Sequence, residues 1–142
     1  MMWTFFYGAW INLKILKEKD LSPSQYEVGR LHGYDIRIQH SAKLIPSERH
    51  LVYGVLIKTS KEKHQRIVSS LIQGAIGNIY LPEAVLVETL EGHWRPAICY
   101  IAASWEPSPL NLEYYAPFLK SAREWGFPEW YIKHLESFHK HT

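Results

Sequence analysis

The chain has 142 residues, a length that suits one compact domain, and we expect residues 1–142 to form it. Apolar residues make up 46% and charged residues 21%, as in globular proteins, and the formal net charge is only +2. Because acidic and basic residues are interspersed without a basic stripe, the composition argues against a nucleic-acid partner.

The N-terminus and the cysteine content indicate the compartment. The N-terminus lacks the basic stretch and long apolar core of a signal peptide, and no apolar run approaches the roughly 20 residues of a membrane span. Cys99 is the only cysteine, which rules out an internal disulfide and suits a reducing compartment. Its apolar neighbours predict a buried strand residue rather than a nucleophile. We therefore expect a cytoplasmic protein without membrane association.

The N-terminal part of the chain predicts a strand, a helix and two more strands. Aromatic and β-branched residues at positions 3–7 indicate a short strand, and Gly8 allows the backbone to turn. Residues 10–19 place apolar side chains on one face, which is typical of an amphipathic helix. Two strands, 26–30 and 34–39, then flank a His-Gly pair.

The next stretch combines an alternating pattern with an apolar run. In the strand 34–39, apolar and polar residues alternate, so Asp35 is expected on the face opposite the apolar side chains. Residues 44–46 end in proline and predict the approach to a turn. Residues 51–58 predict a strongly apolar strand, and Gly54 within it predicts a bulge or the close approach of another backbone.

The C-terminal part predicts two strands and three helices. Thr59 and Glu62 form a capping-box pattern that predicts the start of the first helix, and Gln73-Gly74 ends it. The remaining predicted elements are strands 80–90 and 94–102 joined by a hairpin at Glu91-Gly92, a helix 111–125 closed by Gly126, and a last helix that begins at Pro128.

These elements together predict the fold class. About six strands and three or four helices that do not strictly alternate are typical of an α+β protein. We expect a small mixed, mostly antiparallel sheet that curls into a partial barrel with flanking helices. Three histidines near the C-terminus, His134, His139 and His141, do not share one helix face. We therefore expect a solvated tail there and no metal site.

Short fragments that are weak individually occur in a characteristic order along the chain. They are Phe6-Tyr7-Gly8-Ala9-Trp10, Gly29-Arg30-Leu31-His32-Gly33-Tyr34, Val52-Tyr53-Gly54-Val55-Leu56, Gln73-Gly74 followed by Tyr80, Cys99-Tyr100-Ile101, Pro107-Ser108, Ala122, and Gly126-Phe127-Pro128-Glu129-Trp130-Tyr131. In order and spacing they resemble the motifs of the gamma-glutamylcyclotransferase superfamily, including its plant avirulence-induced branch. The resemblance covers nearly the whole chain.

The resemblance implies a chemistry that requires no metal and no organic cofactor. Members of the family release 5-oxoproline from gamma-glutamyl amines or peptides, because the substrate's own α-amine attacks its γ-carbonyl. In the family a Tyr-Gly-Ser-Asn loop, matched here by Tyr7, Gly8, Ala9 and Trp10, holds anionic oxygens through backbone N–H groups. A glutamate at the end of a later helix carries protons, and Gln73 stands in its place.

Gln73 changes what the resemblance implies. An amide cannot accept a proton at neutral pH, and loss of a positioned general base costs about 10²–10⁴-fold in rate. The resemblance thus implies a pseudoenzyme that binds a small gamma-glutamyl or amino-acid-derived ligand, with catalysis weak or lost. A second interpretation is equally open at this point, in which Gln73 merely caps a helix end in a repurposed scaffold.

Four other residues enter the predicted site by the same resemblance. Tyr100 and Tyr114 match positions beside the family's cavity, where each either orients a substrate by its hydroxyl or packs in the core. Trp10 either covers the pocket or fills it. Glu113 is the candidate substitute base, which would make the chain an active cyclotransferase acting on a gamma-glutamyl amine. A further alternative is a non-catalytic interaction module that binds a protein through its Trp and Tyr side chains.

Overall fold

Five β-strands and four α-helices make up the part of the chain that the structure describes. This computed structural model describes residues 1–23, 25–74, 80–103 and 108–140, except for the side chains at positions 9, 71–74 and 140. The elements are β1 (Met2–Phe6), a 3₁₀ turn (Ala9–Ile11), α1 (Leu13–Glu18), β2 (Gln25–Ile38), β3 (Ala42–Thr59), α2 (Lys61–Gly74), β4 (Tyr80–Thr89), β5 (Trp94–Ala102), α3 (Leu112–Glu124) and α4 (Glu129–Lys140).

The five strands form a closed barrel in the order β1-β3-β2-β4-β5. All neighbouring strands are antiparallel except β1 and β5, which run parallel and meet where Thr4 pairs with Ile98. The predicted α+β fold with a mixed, mostly antiparallel, barrel-like sheet and flanking helices is confirmed. The parallel pair completes the predicted partial barrel, and closure removes the unpaired edges of β1 and β5.

The long hairpin of β2 and β3 differs from the prediction. The two strands predicted at 26–30 and 34–39 are one strand, whose register shifts between His32 and Tyr34. Gly33 lies at this shift with φ +90°, a conformation that glycine adopts without strain, so the sequence signal for a break marks a bulge. The turn predicted at 44–46 is wrong, because Pro46 lies inside β3 and pairs with Tyr34 beside the bulge, where a missing N–H is tolerated.

The two predicted helix starts also shift. The helix expected at 10–19 divides into the 3₁₀ turn and α1, because the Asn12 side chain accepts a hydrogen bond of 3.0 Å from the Lys14 N–H and caps a new helix. The capping box predicted at Thr59 is wrong. Thr59 remains paired with Met2 at the end of β3, and the Ser60 hydroxyl accepts the bond from the Lys63 N–H at 3.2 Å.

Another backbone lies close to Gly54, as one of the two alternatives predicted for this glycine requires. A Cβ at Gly54 would collide with the Phe6 carbonyl oxygen and lie 2.6 Å from Cζ of Phe5, so β1 passes directly over this position. At the other end of the chain, Gly126 ends α3 with φ +76°, as predicted. No helix in the described residues combines the length and hydrophobicity that a bilayer crossing needs.

Candidate functional site

Tyr7 anchors the loop that follows β1. Its side chain is buried, and its hydroxyl donates a hydrogen bond of 2.7 Å to the backbone carbonyl of Tyr100. Burial, followed by the electrostatic influence of Cys99, Tyr80 and Tyr114, raises the pKa of Tyr7 well above its ordinary value. Tyr7 therefore stays a neutral phenol that fixes the loop to β5 and does not act as a base.

Gly8 lies directly against the hydroxyl of Tyr114. A Cβ added at Gly8 would lie 2.5 Å from the Tyr114 hydroxyl oxygen and 3.3 Å from Cβ of Ala42. Only a residue without a side chain fits this space unless Tyr114 moves. Three residues predicted for the site, Tyr7, Gly8 and Tyr114, are thus neighbours although Tyr114 lies on α3.

The 3₁₀ turn after Gly8 is held at both ends. The Gly8 carbonyl accepts a hydrogen bond from the Ile11 N–H at 3.1 Å, and the Ile11 carbonyl accepts one from the indole N–H of Trp125 at 2.7 Å. The first N–H groups of such a turn, those of Ala9 and Trp10, have no intrahelical acceptor. The predicted helix N-terminus does not reinforce them, since α1 has six residues and starts only at Leu13.

The Trp10 ring contacts two residues of the N-terminal part of the chain. Its ring lies 6.0 Å from that of Phe6, and the Lys19 ammonium lies 5.5 Å from its centroid. The side chain of Ala9 lies outside the described part of the structure. The contacts of Trp10 therefore place its ring beside β1 and the end of α1, where it is partly buried against the hydrophobic core.

Tyr100 joins the loop through its backbone and not through its hydroxyl. That hydroxyl is hydrogen-bonded to Nε2 of His64 at 3.1 Å, and Nδ1 of His64 is hydrogen-bonded to the Thr4 hydroxyl at 3.1 Å. Burial raises the pKa of Tyr100 and lowers the pKa of His64, so both are neutral at neutral pH. Sequence reasoning missed His64, although its position three residues before the apolar Ile67 places both on the buried face of α2.

The two residues predicted for proton transfer are placed differently. Gln73 lies in the last turn of α2, and its side chain falls outside the described residues. Glu113 is exposed in the first turn of α3, where its N–H donates to the Asn111 side chain at 3.1 Å. Successive helix residues are about 100° apart, so Glu113 does not share the direction of Tyr114 toward Gly8.

Glu83 is a carboxylate that the strand register brings to this region. It pairs with Cys99 across β4 and β5, and such cross-strand neighbours share one face. Cys99 is fully buried, and burial followed by the charge of Glu83 raises its pKa to about 12. Burial and then the Glu83 charge also raise the pKa of Tyr34. The pairs of β4 and β5 are centred on Glu91, whereas the two-residue turn predicted at 91–92 would have paired Glu83 with Tyr100.

A second polar cluster overturns the prediction for the C-terminal histidines. His134 lies in α4, and its Nε2 is 2.8 Å from Oδ1 of Asp35. His139 packs on the ring of Tyr115 with centroids 5.7 Å apart, and His141 lies outside the described residues. The prediction of a solvated tail is wrong for His134 because α4 folds onto β2. Within the described ranges no group of three His, Cys, Asp or Glu side chains is arranged to hold a metal ion.

Comparison with known proteins gives no match in sequence and clear matches in structure. Neither a protein-family model nor a curated protein matches the chain. A gamma-glutamyl cyclotransferase superposes with a TM-score of 0.83 at 20% identity, over 96% of this chain and 86% of that chain. A glutathione-specific gamma-glutamyl cyclotransferase from yeast gives 0.65 at 16% identity, over 96% and 94%. An AIG2-like protein from Mus musculus gives 0.60 at 17% identity, over 75% and 80%.

These similarities establish which fold the chain has. The barrel with its flanking helices is that of gamma-glutamyl cyclotransferases and AIG2-like proteins. The resemblance seen in the sequence is confirmed at the level of the fold.

Proposed function

We propose that this chain, with its gamma-glutamylcyclotransferase-like fold, binds a small gamma-glutamyl or other amino-acid-derived ligand at the loop of residues 7–10, with weak or no turnover. The observation that carries the proposal is the packing of the Tyr114 hydroxyl against Gly8, next to the buried Tyr7. A loop that is fixed from β5 and from α3 presents its backbone donors in one geometry, which lowers the entropic cost of binding a ligand.

The ligand class follows from the donors that the loop offers. N–H groups at the start of a short turn suit a carboxylate or carbonyl oxygen, which every gamma-glutamyl compound carries. No organic cofactor and no metal are needed for such binding.

Weak turnover follows from Gln73. Cyclisation requires that a proton leave the substrate's α-amine and that one reach the leaving nitrogen. The amide of Gln73 performs neither transfer, whereas it can still hydrogen-bond an amine or a carboxylate. The ligand is therefore bound without the group that would convert it.

Substitution of Gly8 tests the proposal. Gly8→Ala should weaken binding of a gamma-glutamyl dipeptide about tenfold or more in a calorimetric titration, because the new Cβ displaces Tyr114 and shifts the loop. Gly8→Ala combined with Tyr114→Phe removes the clashing oxygen and should fold as stably as Tyr114→Phe alone. If the wild-type protein binds no gamma-glutamyl compound, the proposal is wrong.

A second candidate function is an active cyclotransferase that uses Glu83 as its base. The observation in its favour is the pairing of Glu83 with Cys99, whose side chain influences the buried Tyr7. In that case Glu83→Gln should lower the rate of 5-oxoproline release about 10²–10⁴-fold. Glu91→Gln, on the exposed hairpin, is the matched control and should leave the rate unchanged. An equal rate in all three proteins would remove Glu83 from the mechanism.

A further inference from the structure

A cavity of about 460 Å³ lies between β2, β3, α4 and the segment 108–110. Small-molecule sites usually measure about 300–1,000 Å³, so this cavity has room for a ligand. None of the residues 7–10, Tyr100 or Tyr114 lines it. It is therefore distinct from the site proposed above.

Asp35 at the base of the cavity is fully engaged by the protein itself. Its carboxylate accepts hydrogen bonds from the Ile36 N–H and from Nε2 of His134, both at 2.8 Å, and forms an ion pair with Arg37. Burial raises the pKa of Asp35, but the hydrogen bonds and charges of Arg37 and His134 outweigh burial and lower it. These contacts compensate the negative charge of the Asp35 carboxylate, so that this carboxylate does not offer a site for a cation.

Arg37 keeps one edge of its guanidinium for a ligand. Its Nη1 donates to Asp35 and, at 3.0 Å, to the Ile36 carbonyl. Among the described residues, the opposite edge, formed by Nε and Nη2, has no hydrogen-bond partner. Two parallel N–H groups on such an edge fit a carboxylate. The ring of Phe138, 5.9 Å from the Arg37 Cζ, supports the guanidinium plane.

Two more polar groups line the cavity. In the tautomer of His50 in which Nδ1 accepts the bond of 2.6 Å from the Ser47 hydroxyl, Nε2 carries the proton, and it lies 3.9 Å from Asp35, too far for a hydrogen bond. The Gln39 side-chain oxygen accepts a bond from the Ser108 hydroxyl at 3.3 Å, which leaves its NH₂ group to donate. A cavity that offers donors and no spare carboxylate suits an anion.

The remaining wall is apolar. Leu110 and Phe138 are partly buried at the cavity, and the buried Ile38 also lines it. We propose that this cavity binds a small organic carboxylate, with its carboxylate on the free edge of Arg37 and Nε2 of His50 and its short hydrocarbon chain against Leu110 and Phe138.

A homologous series of probes tests both halves of the proposal. Acetate, propanoate, butanoate and pentanoate are titrated into ¹⁵N-labelled protein, and the signals of residues 37–39, His50 and His134 are followed by NMR. Affinity should rise about two- to fourfold for each added CH₂, since burial of one CH₂ contributes about 0.8 kcal/mol. Equal affinity along the series, or binding of inorganic phosphate as tight as that of pentanoate, would contradict the proposal that the ligand is an organic carboxylate.

Three variants test which residues bind the carboxylate. Arg37→Lys keeps the charge beside Asp35 but loses the two-pronged edge, and His50→Gln removes an exposed imidazole ring. Each should weaken pentanoate binding, Arg37→Lys by about tenfold or more. Arg49→Gln changes an exposed cation that does not line the cavity and should leave the affinity unchanged. A loss of affinity in Arg49→Gln equal to that in Arg37→Lys, or no saturable shift in the wild type, would contradict the site.

Discussion

The loop of residues 7–10 and the cavity at Asp35 are built in opposite ways. The loop is one continuous piece of chain whose donors are backbone N–H groups, positioned by Gly8 and held by Tyr114 and Trp125. The cavity is lined by side chains from four separate segments, and its donors are side-chain groups of Arg37, Gln39 and His50. Backbone donors survive the replacement of neighbouring side chains, such as Ala9 and Trp10 at the positions where the family motif that the sequence resembles has Ser and Asn. Side-chain donors are lost with a single substitution.

The largest effect is expected at Gln73, which stands where the family that the sequence resembles has a proton-transferring glutamate. Gln73→Glu should increase 5-oxoproline release from a gamma-glutamyl dipeptide by about 10²–10⁴-fold, because it returns a group that can accept and donate a proton. Gln65→Glu, an exposed substitution on the same helix, is the control and should have no effect. A Gln73→Glu protein that binds the dipeptide but stays inactive would show that the loop has lost the geometry for cyclisation.

The difference between the two regions also explains what could be predicted from the sequence. The strands and helices could be predicted because hydrophobic periodicity is a local signal, whereas the neighbourhood of Tyr7, Gly8 and Tyr114 was implied only by the resemblance of short motifs to a known family. The burial of Asp35 could not, since alternation in a strand defines two faces but not which face a helix will cover. Its partner His134 lies 99 positions away. The position of Glu83 opposite Cys99 depends on register, which shifts with one residue in the hairpin.

A smaller effect, on stability, is expected at the cavity. Asp35→Asn should lower the free energy of unfolding by about 1–3 kcal/mol, because the amide has no negative charge and only one oxygen to accept the bonds from Arg37 and His134. Denaturant unfolding measures the change, and binding at the Gly8 loop should persist. Asp20→Asn, at an exposed turn, should stay within about 0.5 kcal/mol of the wild type. Equal stability of all three proteins would mean that the Asp35 cluster does not hold α4.

The smallest effect is a pH dependence that separates the two regions. Burial lowers the pKa of His64 below the ordinary imidazole value of about 6.5, so stability present above that pH should fall as pH decreases through it. The lowered pKa of Asp35 adds a second loss, which begins only below its ordinary value of about 3.9. His64→Gln should remove the first loss and keep the second. Unfolding curves at a series of pH values measure both steps.

The most direct test of the central claim follows binding and turnover in one sample. A gamma-glutamyl dipeptide is added to ¹⁵N-labelled wild-type protein while the amide signals of Gly8, Ala9 and Trp10 and the proton signals of 5-oxoproline are recorded together. We predict a saturable shift of the three amide signals and no more than a trace of 5-oxoproline. Unshifted amide signals would contradict the binding site, and 5-oxoproline release at about 1 s⁻¹ or faster, an ordinary enzyme rate, would contradict the loss of catalysis.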